Sequence, residues 1–216
     1  MYSKIQIYKS KNKLVLLQER SPNLTLEDLG KGLPVRWQKA AAFFGSSKRQ
    51  KEYLAVRRLL YDVLGDVRLT YLESGQPMIQ SADYQHIAIS HTANYAAVFL
   101  HRHQKVGIDI ELISPKTERI KERFLNPSEL SWLTTKKARK LFYYTLYWSA
   151  KESLYKYFGQ KDLHFKKQLH IFNIFEKSAL NGQLSAIIYD KKGLEVQQIK
   201  VYYQVIGTHI LTYCSA

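Results

Sequence analysis

The sequence predicts an α+β fold built on antiparallel sheet. Three observations predict it. Segments with a two-residue period and segments with a helical period follow one another as strands, helix, strands, helix, strands, and not as strict strand–helix alternation. The strand-like segments are short and separated by Gly, Asn or Ser turns, at the spacing of hairpins and meanders. The composition is that of a packed globule: 216 residues, 45% hydrophobic and 13% aromatic, with 16 Tyr and 9 Phe.

Taken in order, Ile5 to Tyr8 and Leu14 to Gln18 read as two strands. Leu24 to Leu29 reads as a helical turn stopped by Gly30-Lys31-Gly32. A long helical region starts near Val35 and breaks at Gly45-Ser46-Ser47. Its second piece spaces Tyr53, Val56, Leu60 and Leu64 along one face, and Gly65 ends it. The other side of that piece is basic, with Lys48, Arg49, Lys51, Arg57 and Arg58 against the single acid Glu52. Val67 to Leu72 is a strand leading to a Gly75-Gln76-Pro77 turn. His86 to Ser90, Tyr95 to Leu100 and Val106 to Leu112 follow as a meander.

In Asn126-Pro127-Ser128-Glu129, Asn is the cap, Pro the first helical residue and Glu the return partner of a capping box. One long helix is expected over Lys137 to Phe158, ended by Gly159. Strands then come near Gln168 to Phe175, Leu184 to Tyr189, Val196 to Val205 and His209 to Tyr213, with Gly182 and Gly193 as turns. A cut near residue 104 leaves halves 1–104 and 105–216 of similar content, without a residue-level repeat.

Charge and cysteine content narrow the function. The chain carries 33 Lys+Arg against 18 Asp+Glu, a formal charge of +15, which favours anionic partners. Nucleic acid, an anionic membrane face, a phosphorylated small molecule and an acidic protein all qualify. A single Cys excludes a disulfide framework and a Cys-built metal site. No apolar run reaches the roughly 18 residues of a membrane span. Met1-Tyr2-Ser3-Lys4 enters a strand-like alternation and not an apolar signal segment, so a reduced, cytoplasmic setting is expected.

Two segments carry chemistry. In Val106-Gly107-Ile108-Asp109-Ile110-Glu111-Leu112 the alternation puts Gly107, Asp109 and Glu111 on one face. Two carboxylates on one strand face repel unless a cation stands between them, and a hard divalent ion with oxygen ligands would serve. Gly107 would let a bulky ligand come close. Alone, the segment reads more simply as a strand with a solvated polar face. In Trp148-Ser149-Ala150-Lys151-Glu152-Ser153-Leu154-Tyr155-Lys156, helical spacing puts Trp148, Glu152 and Lys156 on one face and Phe142, Leu146, Ala150 and Leu154 on an apolar stripe. Alone, that is a surface Glu–Lys pair. Together, three carboxylates and Lys156 could hold one Mg²⁺ and a diphosphate. Ser90-His91 ends a strand, where His could donate to a phosphate oxygen. The basic groups Arg36, Lys39, Lys48, Arg49, Lys51, Arg57 and Arg58 form either a solvated helix face or an anion cradle.

With these residues in view, the sequence resembles the surfactin-synthetase/enterobactin type of 4′-phosphopantetheinyl transferase. Ile89-Ser90-His91, Val106 to Glu111 and Trp148 to Lys156 match three of the family's motifs in order. Weaker similarity lies in Lys48 to Arg57 and in Arg123-Phe124-Leu125 leading to Glu129. The resemblance spans about residues 35 to 160. It implies two similar α+β halves in a pseudo-twofold arrangement, with coenzyme A bound as substrate. It implies Asp109, Glu111 and Glu152 as Mg²⁺ ligands and Lys156 on the pyrophosphate. It implies His91, with Ser90, near the coenzyme's 3′-phosphate, with Arg36, Lys39, Arg49, Lys51 and Arg57 as candidate partners. Gly75-Gln76-Pro77 stands where the family often has Gly-Lys-Pro, so Gln76 and Pro77 are expected at the adenine nucleotide with one positive charge fewer. Thr92 replaces a common Ser.

The implied reaction is attack by a carrier-protein serine on the β-phosphate of coenzyme A, with adenosine 3′,5′-bisphosphate leaving. Glu152, or a metal-bound water beside Glu111, takes the serine proton. The implied partner is an acidic apo acyl or peptidyl carrier protein, met by a monomer, without nucleic acid or membrane. The competing class is a basic nucleic-acid-binding module, or a metal-dependent nuclease using the same carboxylates, with Tyr stacking on bases. Against it, the aromatics fall at core-like positions and no nucleic-acid motif is present.

Overall fold

A computed structural model describes residues 5–21 and 23–216. The chain divides into two compact units, Met1–Gln104 and Lys105–Ala216. Both are α+β with antiparallel sheets.

The first unit opens with β1 (Gln6–Lys9) and β2 (Lys13–Glu19), a hairpin. Three helices follow, α1 (Leu26–Gly30), α2 (Val35–Ala42) and α3 (Ser47–Leu64). Helix α1 starts on a Thr25/Asp28 capping box, and Ser46 caps α3 by accepting from the Arg49 N–H. Gly65 ends α3 at φ 74°, a conformation that suits a residue without Cβ. Strands β3 (Arg68–Tyr71) and β4 (Pro77–Gln80) make a separate ribbon. Strands β5 (His86–His91) and β6 (Tyr95–His101) complete a sheet of order β1-β2-β6-β5. The core joins Leu14 and Leu16 of β2, Ala55, Leu59 and Leu60 of α3, and Ala96, Val98 and Leu100 of β6.

The second unit begins with β7 (Val106–Leu112) and then α4 (Pro115–Arg119), α5 (Lys121–Phe124) and α6 (Pro127–Thr134). A single 3₁₀ turn leads into the long helix α7 (Lys140–Phe158), followed by α8 (Phe165–Gln168). Strands β8 (Leu169–Ser178), β9 (Asn181–Tyr189), β10 (Glu195–Ile206) and β11 (His209–Ser215) close the unit. The sheet order is β7-β11-β10-β9-β8. The apolar stripe of α7, Leu146, Ala150 and Leu154, is fully buried in one cluster with Leu184, Ala186, Ile188, Val201 and Ile210 of the sheet. Each unit thus carries one long helix and an antiparallel sheet, and the two are alike in construction.

Four features differ from the sequence reading. Strand β7 does not extend the β5–β6 hairpin as a meander; it pairs with β11. Periodicity identifies a strand but does not choose its partner. The Pro77 segment is a strand, β4, and Gln76 lies in the turn before it, closed by Gly75 N–H to Leu72 O at 2.8 Å and Leu72 N–H to Gln76 O at 3.0 Å. Gly182 is no turn but lies inside β9, opposite Tyr203. A Cβ there would stand 2.3 Å from Phe175 O and 2.7 Å from the Tyr203 ring, so glycine makes room for the aromatic side chain on the next strand. Helices α4, α5 and α8 are four or five residues long, too short to show a helical period.

Candidate active site

Strand β7 is buried from Val106 to Ile110 on both faces, so Asp109 does not sit on a solvated polar face; it is 4% exposed. The polar face is covered by α7. A Cβ on Gly107 would lie 1.9 Å from the Ser153 carbonyl oxygen and 2.9 Å from Tyr157 Cβ. Gly107 therefore admits a helix backbone, and the expectation that it admits a ligand is corrected. Helix and sheet are also joined by hydroxyls. Ser149 and Ser153 Oγ lie 2.9 and 2.6 Å from Thr212 Oγ1 on β11, and Thr212 donates to the Ser149 carbonyl at 2.8 Å.

This docking brings the carboxylates together. Lys156 Nζ donates to Asp109 Oδ1 at 2.8 Å. Trp148 Nε1 donates to Glu111 Oε1 at 2.9 Å. Glu152, between Trp148 and Lys156 on the same helix face, feels both strand carboxylates. Burial, then the Asp109 charge, push its pKa up to about 7, with Glu111 adding and Lys156 and Lys116 opposing. Glu111 is raised too, first by burial and then by Asp109, while the Trp148 hydrogen bond holds it down. Among the described residues no group of three His, Cys, Asp or Glu side chains is arranged so that it could hold a metal ion as it stands. Asp109 is turned to an ammonium and Glu111 to an indole N–H.

A cavity of about 590 Å³ opens beside Glu152. Phe124, Trp148, Tyr155, Phe165 and His164 line it. Trp148 is fixed between Phe124 and Phe165, with ring centroids 5.2 and 5.6 Å away. The sequence placed Trp148 on the Glu152 face but gave it no task. Its i,i+4 spacing from Glu152 was the available signal.

The remaining candidates lie in the first unit. Ser90 is buried near the end of β5 and His91 is the strand's last residue. Thr92 shapes the turn to β6, its Oγ1 accepting from the Asn94 and Tyr95 N–H groups at 3.2 and 3.1 Å. Arg36 is exposed and engaged by Asp66, with Nη1 to Oδ2 at 2.9 Å. Lys39 and Arg49 are exposed, and Lys51 is half-buried. Arg57 is buried: its guanidinium sits 3.5 Å from the Tyr53 ring centroid and donates to Tyr71 OH at 3.1 Å. Arg58 is buried too, bonded to Asp62 and to the Lys31 carbonyl. Two of the five basic residues on α3, Arg57 and Arg58, are thus packing.

Lys151, beside Glu152 in sequence, points the other way. Its ammonium is enclosed by Glu129 Oε2 at 2.6 Å, Phe124 O at 2.7 Å and Phe165 O at 3.3 Å.

The family model described as the 4′-phosphopantetheinyl transferase superfamily matches residues 105–214, about half of the chain. The chain is 32% identical over 139 residues to "4′-phosphopantetheinyl transferase Sfp" of Bacillus subtilis (strain 168), covering 55% of this chain and 62% of that one. It is 31% identical over the same length and shares to "4′-phosphopantetheinyl transferase ffp" of Bacillus subtilis. A third Bacillus subtilis protein, "4′-phosphopantetheinyl transferase", is 35% identical over 89 residues, 41% of this chain and 39% of its own. The match spans less than two thirds of the length of these relatives.

Proposed function

The chain belongs to the 4′-phosphopantetheinyl transferase superfamily, and from that membership we propose that it acts as a holo-acyl-carrier-protein synthase. It transfers the 4′-phosphopantetheine arm of coenzyme A to a serine of an apo carrier protein. The single observation that carries the reading is the gathering of Asp109, Glu111, Glu152 and Lys156 between β7 and α7.

In this reading the serine oxygen forms a bond to the β-phosphorus, the diphosphate bond breaks, and adenosine 3′,5′-bisphosphate leaves with the electron pair. Glu152 accepts the hydroxyl proton at a carboxylate oxygen. Lys156 binds a diphosphate oxygen through the ammonium that Asp109 holds at 2.8 Å. Trp148 fixes Glu111. The donor chemistry, three oxygen-bearing carboxylates on facing elements, suits a hard divalent ion, which Asp109 and Glu111 would meet by turning from Lys156 and Trp148. Mg²⁺ held by Asp109, Glu111 and Glu152 would supply charge neutralisation at the diphosphate. The cavity beside Glu152, walled by Phe124, Trp148, Tyr155 and Phe165 together with Ile120 and Leu163, suits the uncharged arm.

His91, Ser90, Arg36, Lys39, Arg49, Lys51 and Arg57, with Gln76 and Pro77, are proposed for the nucleotide and 3′-phosphate of the coenzyme. The buried stacking of Arg57 on Tyr53 gives it a structural task as well. The formal charge of +15 suits both coenzyme A and an acidic acyl or peptidyl carrier. Among the described residues no helix is long and apolar enough to cross a membrane. We propose a cytoplasmic monomer that engages neither membrane nor nucleic acid. The test mixes the protein with Mg²⁺, coenzyme A and several apo carriers and weighs each carrier by mass spectrometry. One added phosphopantetheine on the serine is expected; unchanged masses for every carrier would overturn the proposal.

A further inference from the structure

Glu52 stands among Lys48, Arg49, Lys51, Arg57 and Arg58 on α3, yet it is the acid that this helix turns inward, at 8% exposure. A buried carboxylate is costly unless it is paired. Two groups face it. One is Arg20, 6% exposed, whose guanidinium is pushed toward neutrality by burial and held charged by Glu52. The other is His91, whose Nδ1 lies 3.7 Å from Glu52 Oε2.

Arg20 also donates to the carbonyl of Lys51, at 3.4 Å, and to the carbonyl of Thr92. These are the residue before Glu52 and the residue after His91. One guanidinium therefore ties the helix turn to the strand end on either side of the Glu52–His91 pair. The carboxylate and the imidazole are held opposite each other by backbone as well as by charge.

We propose that Glu52 is a positioning residue for His91. Its carboxylate turns the ring's Nδ1 edge inward by charge and favours the proton there, so that the second proton, taken up when an anion binds, sits on Nε2 and is donated to that anion. The two ring nitrogens of His are distinct, and the partner of one sets the state of the other. This rests on the reading of His91 as a coenzyme phosphate contact. It adds that the contact is oriented by a residue that itself never touches the coenzyme.

Two variants test it in the full chain: Glu52→Leu, which fills the space without an acceptor, and Glu52→Gln, which keeps one acceptor oxygen. Amide spectra establish that each is folded. Long-range ¹H–¹⁵N spectra of the imidazoles, recorded without coenzyme, should show His91 as the Nδ1–H tautomer in the parent. It should be the Nε2–H tautomer in Glu52→Leu and a mixture in Glu52→Gln. With coenzyme A, KM should rise about tenfold in Glu52→Leu, with kcat changed far less, and Glu52→Gln should recover part of it. An unchanged His91 tautomer in Glu52→Leu overturns the proposal. A changed tautomer with unchanged coenzyme KM upholds the pairing and instead removes His91 from the coenzyme site.

Discussion

Lys151 Nζ and Glu129 Oε2 lie 2.6 Å apart with both side chains closed to solvent. The carboxylate is fully used: Oε2 also accepts from the Asn126 N–H and Oε1 from the Ile171 N–H, each at 2.8 Å. The ammonium binds the carbonyls of Phe124 and Phe165, the two residues whose rings hold Trp148. One ion pair therefore joins α6, α7, α8 and β8, and it sets the walls around the Trp148–Glu111 hydrogen bond. Breaking such a pair from one side leaves an unmatched buried charge.

Lys151→Met should lower unfolding free energy by about 3–5 kcal/mol. Glu129→Gln removes the stranded charge but keeps one acceptor oxygen. The double variant should therefore be more stable than Lys151→Met alone plus Glu129→Gln alone would sum to, by about 1 kcal/mol or more. Denaturant unfolding of the four proteins checks this. Simple additivity would mean the two side chains are not coupled.

Arg57→Met should destabilise the chain by about 2 kcal/mol, because it removes a desolvated guanidinium from the face of Tyr53. Tyr53→Leu should cost nearly as much, and the two losses should not add. If Arg57 served the coenzyme alone, thermal unfolding without coenzyme A would be unaffected and only KM would move.

What was legible in the sequence follows from what periodicity encodes. The stripe Phe142, Leu146, Ala150, Leu154 and the alternation of β7 were readable because one face of each is apolar. The capping box at Asn126 was readable because caps are local chemistry. Ion pairing across the fold was not: Lys151 and Glu129 lie in different elements, and Glu129 read only as the return partner of a capping box. Nor was burial of charge, so Arg57 and Arg58 read as part of a solvated helix face or an anion cradle, with Glu52 on the same polar side. Gly107 and Gly182 were visible as glycines, but what occupies the missing Cβ comes from another element in each case. For the site itself, spacing placed Glu152 and Lys156 on one helix face and Asp109 and Glu111 on one strand face. Only the docking of α7 on β7 joined the two faces.

That docking predicts a paired outcome for the two close-packed glycines. Gly107→Ala puts a methyl 1.9 Å from a helix carbonyl oxygen, and Gly182→Ala puts one 2.3 Å from a strand carbonyl oxygen. Backbone must move in both, at about 3 kcal/mol or more. Both variants should therefore lose stability in thermal unfolding. Only Gly107→Ala separates β7 from α7, so at a temperature where both are folded it alone should lose carrier modification. Equal loss in the two variants would mean that activity tracks stability and not the β7–α7 contact.

Trp148→Phe tests the hydrogen bond without emptying the aromatic wall. Phenylalanine retains much of the contact with Phe124 and Phe165 and lacks the N–H that reaches Glu111. The initial rate of carrier modification should fall about tenfold while unfolding changes by less than about 1 kcal/mol. A parent-like rate would show that Glu111 needs no fixed orientation.

Asp109→Asn and Glu152→Gln separate charge from shape at the centre. Each keeps volume and hydrogen-bonding atoms and removes one negative charge. Asp109→Asn also takes the counter-charge from Lys156, which is bonded to it at 2.8 Å. Neither should unfold the chain, because the carboxylates repel one another: Asp109 raises the protonation of both Glu111 and Glu152, so removing a charge relieves strain in the unliganded protein. Carrier modification should nonetheless fall at least about 100-fold in each. Stability held or raised while transfer is lost is the pattern of groups placed for a bound cation and diphosphate. Both variants retaining near-parent transfer would remove the carboxylate cluster from the reaction and leave Lys156 as the group to test next.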